Sequence, residues 1–138
     1  MKNLPNQFFY SKEEDRLNVI SHGIGFILSI IGLIFLLNKG LQDFNLLRFL
    51  SFLIYGISLS TMYIASTLYH NSKTPEGRYK FRLFDMVSIY LLIAGSYTPF
   101  TLTVLIDSGG LTLFSLVWAI AFIGCLLYTS PSPRDGIG

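Results

Sequence analysis

A serine and a histidine lie one helical turn apart where a long apolar stretch ends. In the segment YIASTLYHNS, residues 63–72, Ser66 is followed four positions later by His70. On a helix, positions i and i+4 share one face, with Cβ atoms about 6 Å apart, so both side chains should point the same way. The polar segment NSKTPEGRYK comes next and is predicted as a loop, with Pro75 and Gly77 as helix breakers. The next apolar run begins at Asp85, and a carboxylate there needs a cation, a hydrogen-bond donor or a metal.

Two kinds of site fit His70 and Asp85. Neutral imidazole is the commonest protein ligand of metal ions, but catalytic zinc usually takes three protein ligands and a water. This chain has only two histidines. Spacing alone therefore favours a buried, hydrogen-bonded pair over a metal site.

Further polar residues cluster before the first apolar run, and each has a structural interpretation. Ser11 and Glu14 form a possible capping box at a helix start. Residues 14–16 are typical of a solvated helix start, whereas Asn18 and His22 are four apart and could support each other on one face. For His22 a structural hydrogen bond is favoured over a role in chemistry.

The elements that must position these groups are membrane helices. The chain of 138 residues is 51% hydrophobic and 13% charged, with a mean hydropathy of +0.55. Four uncharged stretches predict spans at about 17–37, 49–70, 84–105 and 111–128, each near the roughly 20 residues that cross a bilayer core. They are apolar all round, which argues against barrel strands. We predict an all-α integral membrane protein, with a polar lead at 1–16 and a transmembrane domain at 17–128.

The distribution of basic residues predicts the orientation in the cell membrane. Segments 1–16 and 71–83 together carry seven Lys and Arg residues, against two in segment 38–48. The positive-inside rule then places the N-terminus in the cytoplasm, and with it Ser66, His70 and Asp85 at the cytoplasmic face. We expect membrane lipids as partners. Nucleic acid is not expected as a partner, because the net charge is only +2 and the basic residues are divided among short loops.

The last ten residues differ in composition from the rest of the chain. Residues 129–138 read TSPSPRDGIG, rich in residues that do not pack a core. One interpretation is a short disordered tail. The other, which we favour, is that the native frame ends near Leu127 and that YTSPSPRD is translated sequencing-adaptor DNA.

Three motifs carry a resemblance to a known family. EEDRLNVISHGIG, ASTLYH and FRLFDMVSIYLLIAGSYTPF resemble the bacterial hemolysin III family, within the progestin and adipoQ receptor family, from about Glu13 to Leu127. That family is similar in outline to alkaline ceramidases, and its members have seven transmembrane helices. The resemblance implies that this chain is the N-terminal part of a seven-helix bundle, truncated after the fourth span.

The resemblance also implies a site. Family members hold zinc near the cytoplasmic face with one histidine of the second helix and two of a His-x-x-x-His motif in the seventh, and an aspartate of the third helix hydrogen-bonds the zinc-bound water. By motif match, His70 is the first zinc ligand, Asp85 the water-orienting carboxylate and Ser66 a further site residue. No His-x-x-x-His occurs in this sequence, so the zinc site is expected to be incomplete here.

Two functions follow as expectations for the intact protein. The first is a zinc-dependent hydrolase of lipid amide bonds, similar to a ceramidase. The alternative is a non-enzymatic membrane protein, either a pore-forming hemolysin or a lipid-sensing, receptor-like protein. A pore should show polar residues along one face of several spans, whereas here they gather at one end of the spans, which favours a site.

Overall fold

Four long helices make up a computed structural model that describes residues 10–130. In chain order they are α1 (Lys12–Leu41), α2 (Leu46–Asn71), α3 (Pro75–Pro99) and α4 (Gly110–Thr129), and a π-helical segment, Phe100–Val104, follows α3. Within the described range no residue forms a strand, so the all-α prediction is confirmed. Residues 1–9 of the polar lead and 131–138 of the predicted tail lie outside the described residues.

The exposed surface of the helices is apolar and their interior contains small polar residues. Each helix is long and apolar enough to cross a membrane. Large side chains such as Phe35, Val104 and Leu127 are 70% or more exposed, whereas Ser51 and Ser88 are fully buried. This is the reverse of a water-soluble domain, and it is expected where lipid tails cover the outside and small residues allow close packing. The protein is a multi-pass membrane protein.

Local sequence signals explain where α1 and α3 begin. The predicted capping box is confirmed: the Glu14 amide donates to Ser11 Oγ and the Ser11 amide donates to the Glu14 carboxylate, each at 3.1 Å. The segment NSKTPEGRYK, predicted as a loop, is largely helical, because α3 already begins at Pro75. Proline is well tolerated in the first helical turn, and the Thr74 side chain caps α3 by accepting from the Gly77 amide at 3.1 Å.

Consecutive helices pack side by side, and α2 lies between α1 and α3. Glycines and serines lie at these contacts. Gly95 of α3 packs on Ser58 of α2, and Ser29 of α1 shares a hydrogen bond of 2.9 Å with Ser60 of α2. Because successive helices run in opposite directions, the start of α1, the end of α2 and the start of α3 meet at one end of the bundle, which we call the His70 end.

Pro99 ends α3 and begins the change to the π-helical segment. Proline cannot donate its backbone nitrogen to the carbonyl one turn earlier. The hydroxyls of Ser96 and Thr98 donate to the carbonyls of Ile93 and Ala94, each at 2.8 Å. Thr98 also accepts from the Trp118 indole at 3.0 Å, which joins α4 to this bend.

Gly95 provides a test of the close contact between α2 and α3. A Cβ on residue 95 would lie 2.7 Å from the Ser58 Cβ, whereas a Cβ on Gly32 would meet nothing within 4 Å. We expect Gly95→Ala to lower the free energy of unfolding by about 1–3 kcal/mol, the cost of overpacking. The matched control Gly32→Ala should be neutral or slightly stabilising. Unfolding in detergent micelles measures both, and equal stability of the two variants would contradict the packing shown here.

Candidate functional site

Three helices contribute one charged or polar side chain each to a network at the His70 end. Asp15 comes from the first turn of α1, His70 from the last turn of α2 and Arg78 from the first turn of α3. One carboxylate oxygen of Asp15 lies 3.0 Å from His70 Nδ1, and the other accepts from Arg78 Nη1 at 3.0 Å. Asp15 therefore joins the imidazole to the guanidinium.

Arg78 is the most completely enclosed charge of this network. Its side chain is 1% exposed, and Nη1 also donates to the carbonyls of Tyr69, His70 and Ser72 at 3.3, 3.5 and 3.3 Å. The guanidinium lies 4.7 Å from the centre of the Tyr69 ring, within cation–π range. A cation is favourable at the carbonyl end of a helix. Arg78 therefore caps the C-terminal end of α2, next to His70.

A second pair lies beside this network. His22 Nδ1 is hydrogen-bonded to Ser66 Oγ, and the His22 and His70 rings meet edge to face with centroids 6.0 Å apart. Ser66 and His70 do point the same way, as the i, i+4 spacing predicts, and both face α1. They bind different residues there, namely His22 and Asp15, which are seven positions apart and share one face of α1.

Asp85 lies at the same end but is joined to the histidines less directly. It is half-buried and interacts electrostatically with His70, His22 and Arg82. In the described part of the chain neither histidine is hydrogen-bonded to it, and the Asp85 carbonyl accepts from the Ser88 hydroxyl at 2.6 Å. Ser66, His70 and Asp85, named from the sequence, thus lie at one end of the bundle, with two of them in direct contact with α1.

Sequence reasoning missed Asp15 and Arg78. Residues 14–16 are typical of a solvated helix start, but the spacing of seven residues between Asp15 and His22 places both on one helix face. The loop prediction for NSKTPEGRYK includes Arg78, whereas the Thr-Pro start signal of α3 indicates that Arg78 lies on a helix. The suggested support between Asn18 and His22 is not observed, because His22 binds Ser66 and the Asn18 carbonyl accepts from Ser21.

A cavity of about 720 Å³ gives access to His70. Asp15 and Arg78 also line it, together with the exposed cations Lys12, Arg16 and Lys73 and the apolar Val19 and Ile20. A cavity of this size falls in the range that holds a small ligand. The His70 side chain, which is 9% exposed, therefore borders a space large enough for a ligand.

The residues present partly fit a zinc ion. Among residues 10–130, no group of three or more His, Cys, Asp or Glu side chains could hold a metal, so a complete tetrahedral ligand set is not found there. His70 itself has the surroundings of a ligand, because Asp15 occupies Nδ1 and a metal would have to bind at Nε2. Metal-binding histidines almost always have a carboxylate, carbonyl or water on their other ring nitrogen.

Arg78 can be tested as the residue that holds the His70 end together. We expect Arg78→Met to lower the free energy of unfolding by about 3 kcal/mol, because it leaves Asp15 without its cation in a largely enclosed place. Lys80→Met is the matched control, since it removes the same charge from an exposed position of the same helix. Denaturant unfolding in micelles measures the difference, and similar stability of the two variants would show that the network does not stabilise the fold.

Comparison with known proteins identifies the family. The sequence profile of the family described as Haemolysin-III related matches residues 10–135. The protein named Hemolysin-3 of Bacillus cereus is 40% identical over 114 residues, which cover 83% of this chain and 52% of that protein. The Hemolysin-3 homolog of Bacillus subtilis (strain 168) is 37% identical over 115 residues, covering 83% and 54%.

These matches cover most of the present sequence but not most of the relatives. The chain spans about half the length of the curated relatives it matches. No solved structure matches it. The profile match, the two relatives and the four membrane-length helices confirm what the sequence motifs predicted: this chain belongs to the haemolysin III family of multi-pass membrane proteins.

Proposed function

We propose that the whole protein is a zinc-dependent hydrolase of lipid amide bonds and that His70 is one of its zinc ligands. The observation that carries this proposal is the contact of His70 Nδ1 with Asp15 at 3.0 Å, beside a cavity that reaches the ring. Since one histidine cannot hold catalytic zinc, the other ligands are proposed to lie in sequence beyond this chain. The relatives are about twice as long.

The residues at the His70 end suit amide hydrolysis. When bound, zinc would polarise a carbonyl and lower the pKa of its bound water to about 7. Asp85 would accept the proton of the attacking water and return it to the departing nitrogen as the C–N bond breaks. Ser66, held by His22, would keep the adjoining wall of the site in place. A carboxylic acid and an amine are the products.

A lipid substrate is supported by where these residues lie. The helices expose large apolar side chains along their length, as expected for contact with acyl chains. Asp15, His70 and Arg78 lie in the terminal turns of their helices, and Ser66 and Asp85 lie about one to three turns further in. Amide groups that join lipid headgroups to their chains are found at this depth of a bilayer, so a lipid amide could reach His70 without leaving the membrane.

We further propose that the His70 end faces the cytoplasm, because the surrounding segments contain seven of the nine Lys and Arg residues within and before the spans. Reporter fusions test this orientation. A fluorescent protein fused before residue 1 should fluoresce, and alkaline phosphatase fused after Lys39 should be active outside the cytoplasm. The reverse pattern would contradict the proposed orientation.

Two substitutions in the whole protein separate the proposed ligand from the proposed base. We expect His70→Ala to lose bound zinc and lipid hydrolysis together. Asp85→Asn should retain zinc and lose hydrolysis by about 100-fold or more, the usual contribution of a general base. Metal analysis and release of fatty acid from a ceramide-like lipid are the measurements, with Lys80→Met as an unaffected control. Zinc content that is unchanged in His70→Ala would show that the ligand assignment is wrong.

Pore formation is the second candidate function, because the Bacillus cereus relative is named Hemolysin-3. The described helices give it little support, since their polar side chains gather at the His70 end or bond to backbone carbonyls. Conductance across liposomes provides the test. Conductance that persists after Ser66, His70 and Asp85 are all replaced would favour the pore over the hydrolase.

A further inference from the structure

We propose that Asp15, held by Arg78, is a positioning residue that fixes His70 in the tautomer with the proton on Nδ1 and the lone pair on Nε2. The link between this tautomer and zinc rests on the proposed function, but the tautomer itself does not. The basis is the pair of contacts of 3.0 Å that Asp15 makes with His70 and Arg78.

The tautomer follows from what each group can donate. A carboxylate only accepts hydrogen bonds and a guanidinium only donates them. Arg78 donates to one oxygen of Asp15, and His70 Nδ1 must donate to the other. A neutral imidazole carries a single N–H. With that proton on Nδ1, Nε2 has its lone pair free to bind a metal.

The surroundings hold the Asp15–His70 contact more firmly than an ordinary surface ion pair is held. Arg78 is held in place by three carbonyls and an aromatic face, so the carboxylate it binds is held as well. The rings of Tyr10 and Tyr69 lie against His70 with centroids at 5.3 and 4.8 Å. These two ring contacts restrict rotation of the His70 imidazole.

The other titratable groups near His70 do not compete with Asp15 for the hydrogen bond to Nδ1. His22 has its own Nδ1 engaged by Ser66, and Asp85 interacts with His70 electrostatically without a hydrogen bond to it. Glu14 is engaged in the capping box of α1. Asp15 is the carboxylate that touches the imidazole among residues 10–130.

The isosteric change Asp15→Asn should reverse the tautomer. An amide has one accepting and one donating end, and Arg78 can only donate, so the amide oxygen must face the guanidinium. The amide nitrogen then faces His70 and donates to Nδ1. The imidazole proton moves to Nε2, and the metal-binding lone pair is lost. A comparable substitution in a catalytic triad keeps the geometry but imposes the wrong tautomer.

The test is nuclear magnetic resonance of this chain in micelles after ¹⁵N labelling of histidine. The chain contains two histidines, so two imidazoles are observed, and His22→Gln identifies His70. In alkaline buffer, the neutral form of the native His70 should have its proton on Nδ1. Asp15→Asn should move the proton to Nε2. Glu13→Gln, which removes the same charge from an exposed neighbour, should leave it on Nδ1.

Two results would overturn the proposal. The first is a native His70 protonated on Nε2, which needs no variant to fold. The second is an Asp15→Asn variant that keeps native helicity and the native tautomer. Movement of the His70 proton to Nε2 in Asp15→Asn, with no movement in Glu13→Gln, supports the proposal.

Zinc affinity of the whole protein then separates this inference from the proposed function. We expect Asp15→Asn to weaken zinc binding by about 10- to 100-fold, the usual effect of losing such a partner, and Glu13→Gln to leave it unchanged. A whole protein that binds no zinc but shows the tautomer change would overturn the proposed function and still support the role of Asp15.

Discussion

The Arg78 guanidinium joins the ends of three helices, and the geometry of the candidate site depends on it. It binds the Asp15 carboxylate of α1 and the final carbonyls of α2, while its own backbone forms the first turn of α3. His70 is attached at both ends, through its carbonyl to Arg78 and through its ring to Asp15. A buried cation without these partners would be strongly unfavourable, so the three helix ends are constrained together.

Small residues along the helices make this convergence possible. In lipid there is no hydrophobic gain from bringing two apolar helices together, so close packing and hydrogen bonds between helices must stabilise the bundle. Gly95 against Ser58 and the Ser29–Ser60 bond provide such contacts. They set the rotation and the depth of α1 and α3 relative to α2. A different rotation of α1 would turn Asp15 and His22 away from α2.

Much of the fold was predictable because local rules are strong in membrane helices. Twenty apolar residues without charge predict a span regardless of what packs beside it, and the Ser11 capping box depends on residues three positions apart. The prediction of a loop at the start of α3 is wrong, because Pro75 and Gly77 do not break a helix in its first turn. In the first turn proline removes no hydrogen bond, and Thr74 supplies the cap.

The candidate site was predicted only in part. That Ser66, His70 and Asp85 lie at one end follows from alternating helix direction. The partners of these residues were not predicted, because Asp15 and Arg78 are 55 and 63 positions from their partners in the chain. A carboxylate next to Glu13 and Glu14 looks like any solvated helix start until another helix is placed against it.

The sequence by itself determined that this protein has membrane helices, where most of them begin and end, and that Ser66, His70 and Asp85 lie at one end of the bundle. Those properties depend on hydropathy, capping and chain direction, which are local. Only the tertiary structure decided that His70 binds Asp15, that His22 binds Ser66 and that Arg78 is buried. Such pairings depend on the rotation and relative depth of packed helices, which result from side-chain fit over the whole contact between them.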